Sequence, residues 1–276
     1  MKARWWKYHF QDLEYYRFSI YRFGSNMQTV YAYRLGSTLI DTGHSNSRIS
    51  LKEALGQNTI ENLLLTHYHE DHTGNAAYLK YKMDCRIMAH PICAELMTKG
   101  FLVSPLGRLI SGNVRKVEVE PLADDEMLEL GDYTLQVIPT PGHTPDHVAF
   151  YEPNRGWLFS GDLYVADRIK YFETNEDIKV QINSLERLVA LDFDVLLCSH
   201  NPKLKDGKIR LERKLELFKT FYAEVIRLHQ KGEKAEQILK SLGRKENNFY
   251  KYLTVGHFTA VNMVKSVLKA EELKEH

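Results

Sequence analysis

At 276 residues the chain is long enough to bury a sizeable core, and one large α/β domain with a helical appendage would account for its length. Its 37 basic and 36 acidic residues leave a net charge of +1, which excludes a bulk electrostatic pull towards nucleic acid or an anionic membrane. Three cysteines, Cys85, Cys93 and Cys198, without a CxxC pair argue against a disulfide framework and suit a reducing compartment.

The opening stretch, MKARWWKYHFQDLEYYRFSIYRF, carries positive charge but no uninterrupted apolar run. It is therefore expected to be neither a signal peptide nor a membrane anchor, and cytoplasmic residence is expected. Residues 27–41 are rich in β-branched and aromatic side chains and are split by Gly36-Ser37, which predicts a hairpin ending in Asp41-Thr42-Gly43-His44. A short helix around Ser50 to Gly56 leads to IENLLLTH, whose continuous apolar run predicts a strand buried on both faces.

After HYHEDHTGN, AAYLKYKM reads as helix, CRIMAHP as strand and ICAELM as helix. The stretch GFLVSPLGRLISGNV, residues 100–114, has no clear period and reads equally as a lid or as a surface connection. Strands are then predicted at RKVEVE, YTLQVIPT, HVAFYEP and WLFSGD, followed by a helix through Gln181 to Leu191 and a strand, DVLLCSH. Two sheets covered outside by helices predict a four-layer αββα sandwich of the α/β class. Beyond Gly207 the pattern is helical, with Leu211, Leu215, Phe218, Tyr222, Val225 and Leu228 close to one face. The expected division is a catalytic part, residues 1–206, and a C-terminal helical extension, residues 207–276.

The chemistry concentrates in Thr66-His67-Tyr68-His69-Glu70-Asp71-His72-Thr73-Gly74. If the strand continues past His67, residues two apart point the same way, so His67 and His69 can converge on one ion. Asp71 and His72, in the first turn of a following helix, can face a second. Imidazole and carboxylate suit zinc and also iron or manganese. Further candidates stand where strands stop: His143 in Pro141-Gly142-His143-Thr144, Asp162 in Ser160-Gly161-Asp162, and His200 in Ser199-His200.

THYHEDH, PGHT, SGD and the final SH resemble, in their order, the metal-binding motifs of the metallo-β-lactamase superfamily, across roughly residues 25–205. The resemblance implies that His67, His69 and His143 hold one ion, that Asp71, His72 and His200 hold a second, and that Asp162 bridges both. It also implies that Asp41 supports the ligands by hydrogen bonding. Two divalent ions, zinc by preference with iron or manganese as alternatives, would lower the pKa of a shared water and attack an ester, thioester or lactone with the resulting metal-bound hydroxide. Asp71 would pass a proton to the leaving group. Tyr164 is similar to a lactonase tyrosine that donates to an oxyanion, although that tyrosine lies one place further on, where this chain has Val165. His44 and His147 are expected to be hydrogen-bonding neighbours, and His90, His229 and His257 ordinary surface or packing residues.

Within the superfamily, Asp162 and the lack of an export signal disfavour antibiotic hydrolysis, and His69 disfavours the flavodiiron branch, which has glutamate there. The glyoxalase II and lactonase-like branch leads, although the basic pattern that holds glutathione is not found. The alternatives are a mononuclear iron persulfide dioxygenase, a phosphodiesterase and a metal-binding regulatory protein. The expected partner is a small molecule, with neither nucleic acid nor membrane; a homodimer is allowed. GFLVSPLGRLISG and LYVADRIKYF are candidate pocket walls suited to an apolar acyl group.

Overall fold

A computed structural model describes residues 2–22 and 24–273; the last three residues of the expected helical extension, 274–276, lie outside them. Seven strands form the first sheet in chain order: β1 (Lys2–Phe10), β2 (Leu13–Arg22), β3 (Ser25–Leu35), β4 (Thr38–Ile40), β5 (Asn62–Leu64), β6 (Arg86–Ala89) and β7 (Glu120–Pro121). Pairing is antiparallel through β4 and parallel from β4 onward. The second sheet is built from β8 (Met127–Leu130), β9 (Tyr133–Pro139), β10 (Val148–Glu152), β11 (Trp157–Gly161) and, beyond an intervening short strand β12 (Phe172–Glu173), β13 (Val195–Cys198). Its spatial order is β13-β11-β10-β9-β8. β12 pairs instead with β14 (Phe258–Thr259), a two-stranded ribbon that ties the C-terminal helices to the loop after β11.

Side-chain alternation explains why the two sheets stack. Leu64 and Ile40 face Val148, Phe150, Trp157 and Leu197 in the core between the sheets. Their chain neighbours Leu63 and Leu39 face outward against the helices Arg48–Leu55, Ala76–Met83 and Pro91–Lys99. In β13, Val195 and Leu197 point inward while Leu196 and Cys198 point out. There they meet side chains of the helices Ile178–Val189, Gly207–His229 and Ala260–Glu272. The layers are therefore helix, sheet, sheet, helix, as the two-sided apolar runs predict, with the C-terminal helices packed on the second sheet. The three cysteines are buried and unpaired. Among the described residues no helix is long and apolar enough to cross a membrane.

Two elements differ from what the sequence pattern predicts. The opening aromatic stretch, where the pattern predicts no strand, forms the long β1–β2 hairpin. RKVEVE is not a continuous strand: only Glu120–Pro121 pairs, with β6. The preceding residues run across the end of the helix Pro91–Lys99, where the Val117 amide donates to the Met97 carbonyl at 3.1 Å.

Candidate metal centre

β4, β5, β9, β11 and β13 end on one rim of the sandwich, and each is followed by a candidate residue: Asp41, His67, His143, Asp162 and His200. The rim is stitched between sheets by backbone bonds, Val148 N to Thr66 O at 2.9 Å and Tyr31 N to Ser199 O at 2.7 Å. Two glycines permit the close packing that follows. A Cβ on Gly161, at φ +48°, would stand 2.5 Å from His147 Nε2, and one on Gly74 would stand 2.4 Å from the Ser45 amide.

The seven candidate ligands assemble into three overlapping groups, His67/His69/His143, Asp71/His72/His200 and His67/His72/Asp162. Within each group the ligand atoms all lie within 4.8 Å of one another. In the first, His69 Nδ1 lies 3.0 Å from His67 Nε2 and 3.2 Å from His143 Nε2. Nitrogens bound at 2.0–2.1 Å to a tetrahedral zinc would stand about 3.3 Å apart, so the spacing fits one cation. In the second, Asp71 Oδ2 lies 3.6 Å from both His72 Nε2 and His200 Nε2. Asp162 stands between the groups, with Oδ1 3.6 Å from His72 and Oδ2 3.1 Å from His200 and 3.7 Å from His143.

Outer partners fix which nitrogen faces the centre. Asp41, held at φ +57°, accepts from the Thr66 amide at 2.9 Å, from the Thr66 hydroxyl at 2.8 Å and from His72 Nδ1 at 2.8 Å. Because the Thr66 hydroxyl donates to Asp41, it accepts from His67 Nδ1, 3.1 Å away. His200 Nδ1 donates to the Thr29 carbonyl at 2.5 Å, and His143 Nδ1 faces Glu176 at 3.3 Å. Four imidazoles thus turn Nε2 inward. Asp71 Oδ2 also accepts from Gln28 Nε2 at 2.6 Å, and Gln28 Oε1 accepts from Ser111 at 2.9 Å. That pair links the ligand to the end of the 100–114 segment, which contains the short helix Pro105–Ile110.

The donor set fits divalent cations on two observations. Among the described residues, His72 Nε2 and Asp162 Oδ1 are buried without a hydrogen-bond partner, a costly arrangement that a cation between them would relieve. Protons also stand where cations would. Burial pulls His143 and His200 down, yet Glu176 and Asp162 beside the first, and Asp162 and Asp71 beside the second, carry each up to about 9. His67, by contrast, is driven well below the ordinary histidine range by burial and by the surrounding imidazoles, and so stays neutral. Cation uptake should displace the extra protons.

The remaining candidates divide. His147 accepts from the Asp162 amide at 3.0 Å, and its Nδ1 faces the Thr140 hydroxyl at 2.7 Å. His44 bonds Ser47 at 3.0 Å, so both are hydrogen-bonding neighbours. Tyr164 is not brought to the centre: it lies in the outer core of the second sheet, its hydroxyl donating to Asp167 at 2.6 Å.

A cavity of about 680 Å³ opens beside His69, His143, Asp162 and His200, and parts of both candidate walls line it. It also contains residues that the sequence reading did not place there: Gln28, Lys214 and His257. His257, read as ordinary, faces Glu173 at 3.4 Å. Lys214 shares a helical face with the buried Leu211 and Phe218.

Replacing Asp41 by alanine should orphan His72 Nδ1 and free the Thr66 side chain. Metal affinity is expected to fall about 10- to 100-fold with the fold retained, measured by competition with a chromogenic chelator.

Residues 23–200 match the family model described as Metallo-beta-lactamase superfamily. A hydroxyacylglutathione hydrolase from Hahella chejuensis is 32% identical over 152 residues, covering 54% of this chain and 51% of that protein. A beta-lactamase-like protein 2 homolog from Drosophila melanogaster is 28% identical over 204 residues, covering 66% and 63%. The chain thus spans between about half and under two thirds of these relatives' own length. Among solved structures, a metallo-beta-lactamase family protein from Thermus thermophilus shares the fold with a TM-score of 0.63 and 22% identity, covering 90% of this chain and 89% of that one. With the motifs, the rim placement and the family match in agreement, the chain belongs to the metallo-beta-lactamase superfamily.

Proposed function

We propose that the protein is a dinuclear metal-dependent hydrolase acting on an ester, thioester or lactone. The observation that carries this reading is the position of Asp162, one carboxylate shared between two groups of inward-facing histidines. Two divalent ions, zinc by preference, would supply a water of lowered pKa and polarise the scissile carbonyl. His67, His69 and His143 would hold one ion and Asp71, His72 and His200 the other. The Gln28 amide occupies Asp71 Oδ2, which leaves Oδ1 to hold or deliver a proton at the leaving group. The hydroxyacylglutathione hydrolase relatives favour thioesters. Phe101, Val103, Ile169, Phe172 and Phe258 along the cavity suit an apolar acyl portion. The division at residues 206 and 207 belongs to the same proposal, with the extension supplying Lys214, His257 and Phe258 to the wall.

Metal analysis of protein purified without chelators, combined with a panel of thioesters, lactones, carboxylic esters and phosphodiesters, tests it. Two ions per chain and turnover of acyl substrates are expected. One iron per chain with oxygen consumption on a persulfide would overturn the reading.

A further inference from the structure

The helix Gly207–His229 turns a lysine into the protein. Lys214 is 1% exposed, on the face it shares with Leu211 and Phe218, and lines the cavity. A buried ammonium without close compensation is costly, because it gives up its hydration. Leucine or methionine would pack at this helical position without that cost. What the ammonium holds is a peptide oxygen: Nζ donates to the Leu163 carbonyl at 2.5 Å and lies 4.9 Å from the Phe218 ring centroid.

Leu163 directly follows Asp162, so this bond acts on the turn that carries the shared carboxylate. From the other side, the Asp162 amide donates to His147 at 3.0 Å, and the Leu163 amide closes the turn onto Ser160 O at 3.0 Å. Further along, Asp167 accepts from Tyr164 at 2.6 Å and from Arg210 of the same helix at 3.0 Å. One helix therefore grips the segment behind Asp162 at two points, and Lys214 supplies the nearer one.

We propose that Lys214 is a positioning residue: by holding the Leu163 carbonyl it sets where the Asp162 carboxylate stands between the two histidine groups, so that a C-terminal side chain governs how well the second ion is held. The inference rests on the two-ion reading above. Burial and the fields of Glu176 and Asp162 leave the ammonium with a pKa of about 8, still largely protonated at neutral pH and able to donate.

The test is cobalt(II) titration of metal-stripped full-length protein, read by visible absorption, with circular dichroism and melting for each variant. The parent should take up two ions. Lys214→Met should fold, bind the second cobalt at least about tenfold more weakly and show an altered visible spectrum, whereas Lys214→Gln, which keeps an N–H donor, should stay within about threefold of the parent. Parental affinity and spectrum in Lys214→Met would overturn the inference, as would a folded Lys214→Gln as weak as Lys214→Met. If Lys214→Met does not fold, Lys214→Gln decides alone: near-parental binding supports the proposal and a loss of about tenfold overturns it. A parent that binds fewer than two ions would overturn the two-ion reading and this inference with it, whereas a parental Lys214→Met overturns this inference only.

Discussion

Asp162→Ala is expected to abolish measurable hydrolysis, exceeding the roughly 10²- to 10³-fold loss that follows removal of a single electrostatic donor from an active site. Among the described residues Asp162 is the one carboxylate that reaches His72, His143 and His200, so its loss uncouples both proposed ion positions. The fold should survive, because the turn keeps its backbone bonds to His147 and Ser160. Tyr164→Phe is the contrast. It removes one hydrogen bond to Asp167, and neither residue lines the cavity, so stability should fall by about 1 kcal/mol and turnover far less than in Asp162→Ala. Rates on the best substrate of the panel, with metal content determined for each variant, give the order. An Asp162→Ala protein retaining two ions and parental turnover would refute the shared-ligand role.

Ending the chain after Asp206 is expected to yield aggregated or unfolded protein. The helix Gly207–His229 and its successors cover the outer face of the second sheet, with Leu211, Phe218, Val225, Val264 and Val267 buried against Leu163, Ile182, Leu185 and Leu196. Each fully buried side chain of this size contributes roughly 1.5–3 kcal/mol. Loss of even five such contacts therefore rivals the roughly 5–15 kcal/mol that separates a folded domain from its unfolded chain. Solubility, size-exclusion profile and metal content of the shortened chain are the readouts. A soluble, metal-binding product of unchanged oligomeric state would show that the helices are dispensable appendages.

What could be read in advance followed from where physical signals are local. A strand that ends in a ligand leaves its mark in a few adjacent residues, as in LLLTHYH or LLCSH, and the two-sided burial of Leu63 and Leu64 is already written in an unbroken apolar run. Lys214 and His257 carry no such mark, because their place in the cavity depends on how a distant helix and the β12–β14 ribbon dock on the second sheet. Gln28 is equally silent in sequence: only the packing of β3 beside the helical turn at Glu70–Thr73 brings it to Asp71. The resemblance pointed to Tyr164, but side-chain direction turned it into the outer core, beneath the helix whose Arg210 holds its partner Asp167.

The rim placement of the centre also bears on the order of events as the chain folds. Its donors are scattered from His67 to His200 along the sequence and belong to both sheets, so no short fragment can present a complete set. Closing such long loops carries an entropic cost before any donor atom meets its neighbours. A cation captured at full strength is thus a late event, reporting that both sheets have met, and metal retention becomes an assay of global closure as well as of local chemistry.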